Sequence, residues 1–268
     1  MKKFLSLLGA LALLVSCSTT DNDNDSDNGN KITLPKKVQY TNSDHPEKNS
    51  TSVITYNGKK IVSVTEEEER TDYIYEGNVI VKTITYDITY NRNDKKSEKS
   101  YTYTDGKLSS SISVSNFTSE YPFGEYQSRS VYIYNADGTI KKESYSTDKT
   151  TGVESKASGE VLLTFANGNL STEVTTANNI VSNIYDYDTK NNAFKNVSGF
   201  SSLLDQEINS SINNIKTKTL WIANLDVKLG NLSTLSTSEY DYNTNDYPNK
   251  KTSYKEDGTV MEIIEYTY

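Results

Sequence analysis

Few side chains in this 268-residue chain have the chemistry of catalysis, and that scarcity is the first constraint on function. The chain has one histidine, His45, within Ser43-Asp44-His45-Pro46, and one cysteine, Cys17. A Ser-His-Asp relay would have to use His45, and no Gly-x-Ser-x-Gly elbow accompanies it. Zinc lacks a second Cys or His ligand, and no glycine-rich phosphate loop is present. Acids remain the one enzymatic route. Glu66-Glu67-Glu68-Glu69 would put two carboxylates on each face of a strand, with Asp186, Asp188 and Glu262 elsewhere. A glycosidase needs two carboxyls facing each other across a sugar, one with its pKa raised by burial. Four consecutive glutamates more simply form a solvated strand end that discourages edge-to-edge pairing. The expectation is a non-enzyme, with no catalytic residue, no metal and no cofactor.

The 21 tyrosines are the richest chemistry in the chain. Residues i and i+2 of a strand share a face, so Tyr73/Tyr75, Tyr101/Tyr103, Tyr132/Tyr134 and Tyr185/Tyr187 are expected to form cross-strand ladders. Tyr75, Tyr103 and Tyr134 are the candidate binding face, because tyrosine offers a flat apolar ring with a polar tip. The competing expectation is that these rings are the core of a sheet poor in Leu and Phe.

The elements that carry the tyrosines repeat. Tyr73-Ile74-Tyr75-Glu76-Gly77-Asn78-Val79, Tyr101-Thr102-Tyr103-Thr104-Asp105-Gly106-Lys107-Leu108 and Tyr132-Ile133-Tyr134-Asn135-Ala136-Asp137-Gly138-Thr139-Ile140 share one pattern. Leu163-Thr164-Phe165-Ala166-Asn167-Gly168-Asn169-Leu170 and Tyr254-Lys255-Glu256-Asp257-Gly258-Thr259-Val260 continue it. The glycines at 77, 106, 138 and 168 lie 29, 32 and 30 residues apart. Asn-Gly and Asp-Gly tolerate positive φ, so each unit reads as a β-hairpin. Alternation after Val79 is expected to place Ile80, Ile84, Tyr86, Ile88 and Tyr90 on one face, with Thr83, Thr85, Asp87 and Thr89 on the other. The expected fold is all-β: an antiparallel meander of repeated hairpins, forming a large curled sheet or a barrel-like body. One short helix is expected near 200–215, from the spacing of Phe200, Leu203, Leu204, Ile208, Ile212 and Ile215.

The N-terminus supplies the address. Lys2 and Lys3 precede a run from Phe4 to Leu14 that is too short to span a bilayer. Leu14-Val15-Ser16-Cys17 resembles the lipobox of bacterial lipoproteins, which implies cleavage after residue 16 and acylation of Cys17. Residues 1–16 hold two of the 28 basic residues and none of the 36 acids, so the mature chain carries −10. That balance excludes nucleic acid as a partner. Residues 17–37, with Asp21-Asn22-Asp23-Asn24-Asp25 at their centre, read as an acidic tether, and 38–268 as the repeat domain. An acidic stretch behind the lipidated cysteine also resembles the surface-export signal of Bacteroidetes lipoproteins.

The Tyr-x-Tyr, turn, Gly, aliphatic units resemble YD-type repeats. With Tyr185-Asp186-Tyr187-Asp188 in its second half, residues 38–268 resemble a Bacteroidetes outer-membrane lipoprotein family with a porin-like fold. That resemblance implies a large antiparallel meander on a lipidated tail and carries no catalytic residues. Ile264-x-Tyr266-x-Tyr268 resembles the closing strand of outer-membrane barrels, yet Lys and Glu on many strand faces weigh against a lipid-facing wall. The functional expectation is a lipid-anchored binding module of the cell envelope, in the outer membrane and on the cell surface, with a glycan or protein as ligand. A carboxylate hydrolase and an envelope scaffold are the alternatives. A fatty-acid probe should label the wild type and leave Cys17→Ala unlabelled; equal labelling would refute the anchor.

Overall fold

In the computed structural model the hairpins form and close on themselves. The structure describes residues 32–204, 210–224 and 231–268; the signal segment, Cys17 and most of the tether lie outside them. The strands are β1 (Lys37–Asn42), β2 (Ser50–Asn57), β3 (Lys60–Thr65), β4 (Glu69–Glu76), β5 (Val79–Asp87), β6 (Asp94–Thr104), β7 (Lys107–Ser115) and β8 (Tyr126–Tyr134). They continue as β9 (Ile140–Thr147), β10 (Glu154–Ala166), β11 (Asn169–Thr176), β12 (Asn179–Tyr187), β13 (Ile215–Asn224), β14 (Leu232–Tyr242), β15 (Pro248–Tyr254) and β16 (Val260–Thr267). Each pairs antiparallel with its sequence neighbours, and β1 pairs with β16 to close a sixteen-stranded up-and-down barrel. Closure removes the free edges that a curled sheet would have exposed.

The turns behave as their sequences demand. Asp105-Gly106 and Asn167-Gly168 both hold positive φ at both positions, the geometry whose twist matches an antiparallel pair. Just beyond several turns the register slips by one residue. Tyr75 pairs with Ile80 but Ile74 pairs with Lys82, leaving Val81 as a bulge. Ser109 and Ser171 are bulged in the same way, and each hydroxyl donates to a carbonyl on the partner strand, Thr102 O and Thr164 O, at 3.0 Å. The bulge overturns the alternation expected after Val79. Ile80, Thr83 and Thr85 share the inner face, while Ile84 and Tyr86 pair with Asp72 and Arg70 on the outer one. The last repeat also departs from the pattern, because Asp257-Gly258 turns at the opposite end of the barrel from Gly77, Gly106, Gly138 and Gly168.

The helix expected near 200–215 reduces, among the described residues, to one 3-10 turn at Phe200–Ser202. Residues 205–209 lie outside the described residues, and β13 already begins at Ile215. The apolar residues are buried as expected, with Phe200, Leu203 and Leu204 in the core. Among the described residues, backbone amides on either side of this turn bond to the barrel. Ser198 N–H donates to Lys59 O at 2.9 Å, and Ile212 N–H to Gly168 O at 3.3 Å and Asn169 Oδ1 at 3.0 Å. Gly199, at φ +74°, lies so close to the β4–β5 turn that a Cβ would meet Asn78 O at 2.8 Å. Gly58, at φ +59°, has open space around it. Gly58→Ala should therefore cost about 1 kcal/mol for the left-handed backbone alone, and Gly199→Ala about 3 kcal/mol or more, read from urea unfolding midpoints.

Candidate functional site

The inner wall is built in layers. At the end where most hairpins turn, Tyr56, Tyr75, Tyr103, Tyr134, Phe165 and Tyr187 form one tier, each paired across the hairpin or to the next strand with an aliphatic residue such as Ile61, Ile80 or Leu108. Two residues earlier in each strand, Ile54, Tyr73, Tyr101, Tyr132, Leu163 and Tyr185 form a second tier. The expected ladders are therefore rings running around the barrel; the direct cross-strand partners are not other tyrosines.

The hydroxyls tie successive hairpins together. Tyr103 donates to Ile80 O at 2.9 Å, Tyr134 to Leu108 O at 3.1 Å and Tyr187 to Leu170 O at 2.8 Å. Ile61 N–H donates to the Tyr75 hydroxyl at 3.1 Å. Near the closure, Tyr240 donates to Ile215 O and Tyr268 to Pro248 O, both at 2.8 Å. Burial pushes the Tyr75 and Tyr134 phenols above their ordinary pKa, so they stay neutral donors or acceptors. The structure thus brings the three sequence-selected residues, Tyr75, Tyr103 and Tyr134, into one tier and gives each hydroxyl a main-chain partner. Tyr134 is the most open of them, with Lys107 Nζ 5.0 Å from its ring centroid; Lys60 Nζ lies 5.6 Å from that of Tyr75.

The 188–214 connection closes this end. Phe200 stacks on Phe194 at 5.2 Å between centroids and meets Tyr73 at 6.4 Å. Asn169 and Ser211 exchange bonds with the connection and the wall, with Leu170 N–H donating to Ser211 Oγ at 3.1 Å. Asp188 accepts from the amides of Lys190 and Asn214 and from the Tyr242 hydroxyl, pinning both ends of the connection to β14. Toward the other end the inner wall becomes hydroxyl-rich. Ser113, Ser128 and Ser146 are successive partners there, Thr71 and Thr85 lie 3.0 Å apart, and Ser238 and Ser253 likewise. Glu262 pairs with Lys251 at 2.8 Å and accepts from Ser253; burial would raise its pKa, but these partners outweigh it and hold the carboxyl below its usual range.

Of the acidic candidates, Glu66, Glu67, Glu68 and Glu69 line one open rim hollow together with Glu47, while Asp186, Asp188 and Glu262 lie apart from it. Glu66 accepts from Ser52 at the open rim, Glu69 pairs with Lys96, and Asp186 accepts from Thr217 on the outer face. His45 is exposed at the rim, 3.0 Å from Glu47. No cluster of acids, His and Cys fit for a metal occurs among the described residues. What sequence reasoning missed is the connection itself, whose Asn-rich and Ser-rich ends, Asn191-Asn192 and Ser210-Ser211, carry the polar bonds that lock it in place.

The outer wall carries paired charges. Arg129 makes a two-toothed bond to Glu154 at 2.9 and 2.6 Å, and Arg70 pairs with Asp72 at 2.8 Å. Glu143 is covered by Lys141 at 2.8 Å, Lys156 at 2.9 Å and the Tyr145 hydroxyl at 2.8 Å, which together lower its pKa to about 2.

A closed, hydroxyl-lined β-barrel with one end filled is the class of protein these features define. The chain is similar in fold to a porin-like protein from Bacteroides vulgatus ATCC 8482, with a TM-score of 0.57 and 16% identity over 88% of this chain and 99% of that one. A porin-like protein from Bacteroides uniformis ATCC 8492 also aligns, at a TM-score of 0.48 and 12% identity over 88% and 97% of the two chains. No protein-family model and no curated protein matches the sequence.

Tyr103→Phe keeps the ring and removes the bond to Ile80 O. It should lower stability by about 1 kcal/mol, while Tyr103→Ala should cost about 3 kcal/mol or more by emptying the tier. Chemical unfolding of both variants checks the ratio.

Proposed function

We propose that this protein is a lipid-anchored, non-catalytic barrel of the bacterial outer membrane, held by its closed end and presenting its open rim away from the bilayer as a binding module. The observation that carries the reading is where the chain enters. Leu34 packs on the core, Pro35 is buried and accepts from Tyr56, and Asn196 of the closing connection donates to Thr33 O at 3.1 Å. The last residues of the 17–37 segment therefore join the barrel at its filled end, and the rim loops lie at the other.

The charged outer wall supports a barrel standing in water. Each Arg or Lys at mid-bilayer would cost about 2–4 kcal/mol, and Arg70, Arg129, Lys141 and Lys156 all sit on outward positions. The filled end supports a cup with one mouth, in which a ligand is held at the rim and upper wall. The open hollow that holds the rim carboxylates, and the lone histidine, support a role without chemistry. Tyr75, Tyr103 and Tyr134 enter this reading as the outermost tier of the filled end, separated from the cup by the tier of Tyr73, Tyr101 and Tyr132.

Fractionation tests the anchor against a spanning wall. The wild type should stay with outer membranes and leave them only with detergent, whereas Cys17→Ala should appear in the soluble fraction. An epitope placed at Gly152, in the β9–β10 rim loop, should be removed by protease from intact cells. Cys17→Ala that remains embedded through alkaline extraction would mean that the wall itself spans the bilayer.

A further inference from the structure

Two rim loops hold aromatic rings that the fold leaves in water. Tyr90 in the β5–β6 loop is 94% exposed, Phe123 in the β7–β8 loop 82%, and Tyr126, where that loop enters β8, 60%. The β7–β8 loop is held from both sides: Asn116 N–H donates to Lys96 O of β6 at 3.2 Å, Lys95 Nζ of β6 lies 4.2 Å from the Phe117 centroid, and Lys149 of the β9–β10 loop donates to Phe123 O at 2.6 Å. Between the first two loops lies a hollow lined by Asn93, Phe117, Thr118 and Ser119, among others.

These rings are displayed by ordered backbone. The β7–β8 loop folds back on β7 through Glu125 N–H to Ser115 O at 3.0 Å, and Gly124 at φ +77° allows an approach in which a Cβ would lie 2.4 Å from Val114 Cγ1. Tyr90 holds φ +54°, a left-handed conformation that Gly or Asn would adopt at less cost. A tyrosine there gains the folded state nothing, since its ring is almost wholly in water.

Resting on the reading of the rim as a binding surface, we infer that Tyr90, Phe123 and Tyr126 form a stacking platform for a neutral glycan. The flat face of a pyranose ring presents C–H groups that suit an aromatic ring, and its edge hydroxyls suit the amides and hydroxyls of Asn93, Thr118 and Ser119, which line the hollow between the two loops. A protein partner would call for one continuous apolar patch, and here the loop residues beside the rings are polar: Asn91, Arg92 and Asn93 follow Tyr90, and Thr118, Ser119 and Glu120 precede the Phe123 segment. A charged ligand would call for charge of one sign to meet it. The ions at this part of the rim already pair with one another, Arg92 with Asp87, Lys95 with Glu98 and Lys96 with Glu69.

Affinity electrophoresis of the full-length lipoprotein in mild detergent, with soluble xylan, laminarin, glucomannan or starch cast in the gel, tests the inference. At least one of these neutral polysaccharides should retard the wild type. Tyr90→Ala/Phe123→Ala/Tyr126→Ala should weaken that retardation about tenfold or more, with the thermal midpoint unchanged because the rings pack on little. A wall variant, Ile74→Ala/Leu162→Ala, should migrate as the wild type does. Absence of retardation in all four gels, or full retardation of the triple variant, would overturn the platform. Neither result bears on the anchor, which fractionation decides separately.

Discussion

The hydrogen bond from a tyrosine hydroxyl to the main chain of the preceding hairpin is the interaction on which the rest of the barrel depends. A two-residue turn fixes the register within a hairpin, whereas most connections from one hairpin to the next are longer and fix it less closely. The tyrosine fixes that register. Tyr103 reaches Ile80, Tyr134 reaches Leu108 and Tyr187 reaches Leu170, so each unit is indexed to its predecessor by the same contact. Each bond contributes only about 1 kcal/mol, yet a one-residue slip at any seam would turn every inner side chain outward. Phe165 has no hydroxyl, and it is beside that unit that the 188–214 connection bonds most heavily, through Gly168, Asn169 and Leu170.

The bulges make this contact sterically possible. A side-chain period of two would send the residues after each turn to alternate faces without interruption. Inserting Val81 or Ser109 resets the period, so Ile80 and Thr83 both face inward and the aromatic tier lies flush above the turn. Sixteen strands enclose more width than their own side chains can fill. The deficit is met at one end by Phe200, Leu203 and Leu204 from a single long connection, and toward the other the wall is left to serine, threonine and paired charges such as Glu262 and Lys251. A low hydrophobic share of 34% is enough for a fold whose apolar core is confined to one end.

Much of this was legible in the sequence. Turn dipeptides at a spacing near 30 residues specify hairpins, and Tyr-x-Tyr specifies aromatics on one face, whatever the sheet does next. Closure was not legible, because the pairing of Tyr40 with Ile264 spans the whole chain and leaves no local pattern. The bulges were not legible either. Val81 carries the letters of any strand residue, and only its position against Ile74 and Tyr75 reveals it as an insertion. At Phe200, Leu203 and Leu204 the apolar spacing correctly marked buried residues, but the described backbone there is a single 3-10 turn, since turns that offer free carbonyls to a nearby backbone compete with helix formation. The rim rings were present in the sequence but carried no signal, because an exposed tyrosine and a buried one are written with the same letter.

The two ends of the barrel are consequently under different constraints. At the filled end, turn carbonyls such as Lys59 O and Gly168 O already accept bonds from the connection, and Gly199 leaves no room for a side chain against Asn78. A substitution there is felt through packing. At the rim, the connections run from a two-residue turn near Ala177 to the ten-residue loop 116–125, and their side chains are held mainly by contacts within and between the loops. Their lengths and letters can change without disturbing the tiers beneath. A wall indexed from below by tyrosine latches can therefore carry a rim whose chemistry is set independently of the fold, and the rim is where a ligand can be recognised without cost to closure.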